Sequence, residues 1–311
     1  MTAALIALLP VFIVILVGFG LRKSELIGEG HWAAVDHVCY YVLFPAIFFK
    51  EIVAADFSGI PVLGMALAMM LAVLTMSAAL LVLRRPLSAS LATDGPQFSS
   101  FFQGATRWHT FIAFAIIVIY FGPSALALGA VSAAAMTPLL NVICVIVISM
   151  LVLGRAPDAQ TIVLPIIRNP FVISTVGGVL WKALGLPAPA MGIQVLDMIG
   201  KGALGLALLT VGAGLRIDEA ISTKAPVLAA TVLKLLIMPV FMMVWLKVFG
   251  VTGQAAAVAM LCAAVPTGSG AYILARQMGG DAPLVANILT LQVVCAAFTI
   301  PLVMWLFGAT I

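Results

Sequence analysis

Apolar residues run along this chain in long blocks, separated by short clusters of charged, Gly and Pro residues. Neither a two-residue alternation nor a single amphipathic stripe organises them, so the pattern is that of buried or lipid-facing helices. A bilayer core takes a helix of about 20 apolar residues. Ten segments meet that requirement: 3–21, 32–50, 58–83, 98–120, 124–153, 163–184, 193–214, 226–249, 254–275 and 282–308. The fourth has the weakest start, because Gln97 to Thr110 is rich in Ser, Gln, Arg and His. The junction after it is short, and Gly122-Pro123 supplies the break.

Composition supports this pattern. Of 311 residues, 64% are hydrophobic and 8% charged, against roughly 25% charged in a soluble domain. The mean hydropathy is +1.25. A soluble globular protein is excluded, and the pattern argues against a large outer-membrane barrel, whose strands alternate over about ten residues. The net charge of +4 does not imply nucleic acid, since the basic residues sit between apolar blocks. No basic residue precedes the first block, whereas Arg22 and Lys23 follow it, which predicts a retained spanning helix with its N-terminus outside. Nine basic residues then fall on the inner side: Arg22, Lys23, Arg84, Arg85, Arg155, Arg168, Arg216, Lys224 and Arg276. Four fall outside, Lys50, Lys182, Lys201 and Lys247, and Arg107 and Lys234 lie within spans. This asymmetry predicts both termini outside.

Five spans per half, with both ends on one side, make the halves inverted relative to each other. The predicted repeats are 1–153 and 154–311. Pro10-Val11-Phe12 can be laid over Pro170-Phe171-Val172 at an offset of 160, and Thr106 to His109 then faces Val265 to Gly268 at nearly that offset. Inverted repeats place a transport site where the halves meet at mid-membrane.

The candidate chemistry lies in the fourth and ninth spans. Pro266-Thr267-Gly268-Ser269-Gly270 interrupts the ninth; proline removes a backbone donor and the glycines lower helical preference. Freed N–H groups and a half-helix N-terminus there can receive an anion, helped by the Thr267 and Ser269 hydroxyls; a packed kink is the alternative. In the fourth span, Arg107 has a planar fork matched to a carboxylate, or it snorkels to headgroups. His109 is a proton carrier or a neutral hydrogen-bonding residue. Asn141 and Asn287 line the same cavity or bond between helices. Asp197 and Lys201, four residues apart, predict an ion pair. Asp36 and His37 are placed near the cytoplasmic interface. Lys234 helps an anion enter or snorkels, and Pro45 kinks the second span. Cys39, Cys144, Cys262 and Cys295 lack metal or CxxC spacing and are expected as small apolar fillers.

Arg107-Trp108-His109-Thr110-Phe111, Tyr120-Phe121-Gly122-Pro123 and Pro138-Leu139-Leu140-Asn141-Val142 resemble the fourth and fifth spans of bacterial auxin efflux carrier family transporters. Pro266 to Gln277, Gly279-Gly280-Asp281, Thr299-Ile300-Pro301 and Leu43-Phe44-Pro45-Ala46 resemble the same family, nearest its malonate transporter branch. The resemblance covers essentially the whole chain. It implies an all-α membrane protein of ten helices in an inverted 5+5 repeat, similar to bile acid sodium symporters, with broken helices four and nine crossing at the site. It further implies a scaffold of spans 1, 2, 6 and 7, a moving transport domain of spans 3–5 and 8–10, and a homodimer formed through the scaffold in the inner membrane. Pro266 matches the crossover proline of the ninth helix. His109 stands where the family usually has asparagine, a departure that leaves room for proton coupling. Arg107 matches the arginine of the bacterial branch.

The expected function is secondary transport of a small organic anion, malonate or a related mono- or dicarboxylate, by alternating access. Arg107, His109, Asn141, Pro266, Thr267, Gly268, Ser269 and Asn287 are the expected substrate-site residues. No cofactor or metal is expected; the driving force is the substrate gradient, the membrane potential, or a coupled proton or sodium ion. A channel or uniporter for an organic anion or an auxin-like aromatic carboxylate is the alternative. An enzyme is not expected, because three histidines and isolated hydroxyls compose no nucleophile–base pair.

Overall fold

Long helices form where leucine, alanine and valine dominate, running through the single prolines Pro10, Pro138 and Pro301, and the chain opens where proline and glycine gather. The structure, a computed structural model, describes residues 2–216 and 225–308, which are helices joined by short turns. Lys224, one of the nine basic residues assigned to the inner side, lies outside the described residues.

The elements are α1 (Thr2–Lys23), α2 (Glu29–Val38), α3 (Phe44–Ala54), α4 (Val62–Val82), α5 (Arg84–Leu91) and α6 (Gly95–Thr106). They continue as α7 (Thr110–Phe121), α8 (Leu126–Val152), α9 (Ala159–Ile167), α10 (Pro170–Ala183), α11 (Ala190–Gly200) and α12 (Ala203–Ala213). After the undescribed stretch come α13 (Ala225–Val232), α14 (Met238–Val248), α15 (Gly253–Ala264), α16 (Gly270–Met278) and α17 (Ala282–Gly308).

Among the described residues, seven helical stretches are long and apolar enough to cross a bilayer: Gly30–Ala54, Val62–Val82, Gly95–Phe121, Pro123–Val152, Ala190–Ala213, Ala225–Val248 and Ala282–Phe307. An eighth follows if α9 and α10 form one span, bent by 52°. This is the architecture of a polytopic helical membrane protein. The bend falls inside the sixth segment expected at 163–184. Arg168 ends α9, and Asn169 starts α10 afresh, its Oδ1 accepting the N–H groups of Phe171 (2.9 Å) and Val172 (3.3 Å). The fourth segment begins three residues before the expected position, at Gly95, because Asp94 and Gln97 form a reciprocal capping box.

Pro45 does not break its helix. A π turn at Cys39–Leu43 joins α2 to α3 just ahead of it, and a second at Leu233–Ile237 joins α13 to α14 just ahead of Pro239. A proline ring collides with the carbonyl four residues back, here Tyr41 and Leu235, and the wider π turn relieves that collision.

Helix packing sorts into two groups. α1 lies along α12, and α3 packs on α10 and α11. At Gly18 an added Cβ would meet the Leu209 carbonyl, and at Gly212 the Ile15 carbonyl, so two glycines let α1 and α12 touch backbone to backbone. In the other group α4 packs on α8 and α14, α6 on α8 and α17, and α15 on α14 and α17. Trp245 Nε1 donates to Thr75 Oγ1 (2.9 Å) across α14 and α4. Between the groups lies an aromatic core: Phe44 stacks on Phe111 at 4.9 Å, and Phe48 meets Phe114 edge-on at 4.8 Å. Phe171 packs against both Phe48 (5.2 Å) and Phe114 (6.1 Å). Asp197 receives Lys201 at 3.5 Å, and also Lys50 of α3 at 2.6 Å. At that same end Lys182 donates to the carbonyl of Ala55. The four cysteines are free thiols.

Candidate substrate site at the two helix breaks

Two helices open inside the second group. Between α6 and α7 the residues Arg107, Trp108 and His109 leave the helix, with Arg107 (ψ 163°) and His109 (ψ 92°) extended. Between α15 and α16 the opening runs from Val265 (ψ 154°) to Ser269. Pro266 explains the second break, since it disfavours a helical residue before it. In the first, the bulky Trp108 leaves the helix with its side chain buried.

The breaks lie against each other. A Cβ added at Gly268 would sit 2.8 Å from the Trp108 carbonyl oxygen, so only glycine permits this approach. One added at Gly270 would sit 3.2 Å from an Arg107 nitrogen. Gln292 of α17 ties the crossing together. Its Oε1 accepts the Thr267 N–H (2.7 Å), and its Nε2 donates to the carbonyls of Gly104 (2.9 Å) and Ala230 (3.2 Å). Thr267 Oγ1 faces the Gln103 carbonyl at 3.4 Å.

A cavity of about 230 Å³ opens beside the crossing. Its walls include Arg107, His109, Asn141, Gly268, Ser269 and Gly270, with Tyr40, Tyr41, Trp108, Phe111 and Phe171 supplying aromatic surface. Asn141 Oδ1 accepts from Arg107 Nη2 at 2.8 Å, which aims the guanidinium. Arg107 Nη1, Trp108 Nε1, His109 Nε2 and Thr137 Oγ1 are buried without a hydrogen-bond partner, all on cavity-lining residues. A buried polar atom without a partner carries a desolvation cost of about 1–3 kcal/mol, which a ligand oxygen offsets. No side chain caps α7 or α16. Their first-turn N–H groups add a positive partial charge to that of Arg107. The arrangement suits a small molecule with a carboxylate at one end.

Of the expected site residues, Arg107, His109, Asn141, Gly268 and Ser269 meet in this cavity. Pro266 and Thr267 do not line it; Thr267 is fully buried and held by Gln103 and Gln292. Asn287 lines a separate cavity of about 430 Å³ with Gln97 and Asp281, because it lies near the start of α17, away from the crossing. Lys234 neither lines the cavity nor snorkels: it is completely buried, and its Nζ donates to the Ala263 carbonyl at 2.7 Å. Asp36 and His37 line the cavity wall, and Asp36 Oδ1 faces Thr210 Oγ1 at 3.4 Å.

Sequence reasoning passed over Gln103, Gln292, Thr137 and the aromatic wall. The glutamines carried a signal, since polar side chains deep in apolar spans seldom face lipid. The aromatic residues carried none, being indistinguishable from core.

Among the described residues, no group of His, Cys, Asp and Glu side chains could hold a metal ion. No curated protein matches the chain. Residues 155–304, which hold α9 to α16 and most of α17, match the family model described as membrane transport protein, so the similarity to that family takes in the second break and its partner Gln292.

Proposed function

We propose that the protein is a member of this transporter family and a secondary carrier for a small organic anion, malonate or a related mono- or dicarboxylate. One observation carries the reading: a guanidinium sits where two opened helices meet, one nitrogen held by Asn141 and the other buried without a partner. A permanent cation inside a membrane protein is costly unless it has work there. In the bound state Arg107 and the N-terminal amides of α7 and α16 neutralise the carboxylate. His109 and Ser269 orient it, and His109 also offers a route for a coupled proton.

The reading extends to ten spans in two inverted repeats, 1–153 and 154–311. Spans 1, 2, 6 and 7 form the scaffold, and spans 3–5 and 8–10 move against it to expose the cavity alternately. The division of the packing into the α1–α12 and α4–α8–α14 groups supports that division of labour. The gathering of Lys50, Lys182 and Lys201 at one end supports an orientation with that end, and both termini, outside. The bacterial inner membrane and a homodimer through the scaffold complete the proposal.

The test is uptake of labelled malonate into proteoliposomes under separately imposed proton, sodium and voltage gradients, repeated with Arg107→Ala. Saturable uptake lost in the variant is the expected result, and the effective gradient names the coupling. Full uptake by Arg107→Ala overturns the assignment of the arginine. The aromatic wall of Tyr40, Tyr41, Trp108, Phe111 and Phe171 favours a second reading, an auxin-like aromatic carboxylate. Competition decides it: an aromatic carboxylate that displaces malonate at lower concentration makes the aromatic class the substrate.

A further inference from the structure

The last turn of a helix leaves carbonyls without helical partners, and the aligned peptide dipoles place a partial negative charge there. α15 ends in this way inside the protein, with Cys262, Ala263, Ala264 and Val265 all at 0% exposure. Water does not reach these carbonyls. Lys234 does: its side chain is completely buried, and its Nζ lies 2.7 Å from the Ala263 oxygen. The π turn at Leu233–Ile237 contains Lys234 and sets the direction in which it leaves α13–α14. Among the described residues it takes part in no ion pair. Its charge is therefore placed against a helix end and not against a carboxylate. The matching end of α6 is served differently, by the neutral amide of Gln292 on the Gly104 carbonyl.

A buried helix terminus of this polarity, lined by carbonyl oxygens, is the environment in which a protein binds an alkali metal ion. We propose that the Lys234 ammonium is a tethered substitute for such an ion. In its charged form it neutralises the end of α15, so the carrier needs no sodium or potassium there, and removal of the ammonium creates a site for one. The transport part rests on the carrier reading above, whereas the binding part stands without it.

The experiment measures thermal unfolding of the detergent-purified protein in sodium, potassium or choline chloride at equal ionic strength, together with malonate uptake in the same salts. The wild type is expected to melt at one temperature in all three and to take up substrate without alkali cation. Lys234→Ala is expected to melt several degrees lower in choline and to recover, saturably, as sodium or potassium is added. Lys234→Met, which fills the space without charge, is expected to show no recovery. A wild type stabilised or driven by sodium overturns the proposal, as does a Lys234→Ala protein indifferent to both metal ions. Should Lys234→Ala not fold, Lys234→Ser takes its place, and if neither folds the wild-type salt dependence decides alone. Cation-dependent melting of the variant alongside absent wild-type uptake would keep the binding part of the proposal and discard malonate as the substrate.

Discussion

The two helix breaks are built from opposite materials. The α6–α7 break carries a cation, an indole and an imidazole in three consecutive residues, Arg107, Trp108 and His109. The α15–α16 break carries no charge, and its Gly268, Ser269 and Gly270 are among the smallest residues available. Each property requires the other. Arg107 lies 3.2 Å from where a Gly270 Cβ would be, and the Trp108 carbonyl 2.8 Å from where one would be at Gly268, so the bulky break fits only against a nearly bare backbone. The breaks also differ in how their carbonyl ends are satisfied, by the Gln292 amide at α6 and the Lys234 ammonium at α15. Two breaks that lie against each other can thus divide the work, one holding the chemistry and the other making room for it.

The sharpest way to break this comparison is at the charged partner. Arg107→Ala should lower uptake at limiting substrate roughly 100-fold, since hydrogen bonds to a charged group are worth about 1.5–3 kcal/mol each and every 1.4 kcal/mol is about tenfold. Moving the bulk to the other side should be nearly as damaging. Gly268→Ala forces a methyl against the Trp108 carbonyl, and such overpacking costs about 1–3 kcal/mol; a lower melting temperature and reduced uptake together are expected, and an unchanged melting temperature would mean the breaks are not in contact. A smaller effect belongs to Asn141→Ala, which frees the guanidinium without removing it. The half-saturation concentration should rise about fivefold for the loss of roughly 1 kcal/mol of aim, with the maximal rate nearly kept. Asn287→Ala should change neither, because Asn287 lines the other cavity. A raised half-saturation concentration in that variant would join the two cavities and refute the site drawn around the breaks.

Much of the fold was legible because the bilayer acts as a simple filter. Blocks of apolar residues about 20 long mark helices whatever they pack against, and seven of the expected segments recur as helices that pass the same test in three dimensions. Pro266 and the glycines after it marked a break for a local reason, the loss of a donor and of helical preference. Arg107 and Asn141 were legible as polar residues in apolar surroundings, and the structure bonds them directly at 2.8 Å. The π turn just ahead of Pro45 has no marker in the sequence, although the collision it relieves, between the ring and the carbonyl four residues back, is local.

By itself, then, the sequence determined the solvent, the helical state and which residues were too polar to face lipid. These properties follow from the transfer of each side chain and each backbone group into hydrocarbon, and that transfer is paid residue by residue. Only the tertiary structure decided which polar residues meet. Residues 107, 141 and 268 converge, 287 goes elsewhere, Gln292 reaches α6, α13 and the second break at once, and Lys234 turns inward to a helix end. The physical reason is that helix propensity and hydropathy fix a segment but not its rotation about its own axis. That rotation is set by close approach at residues such as Gly18, Gly212 and Gly268 and by the hydrogen bonds across the breaks, all of them contacts between residues far apart in the chain.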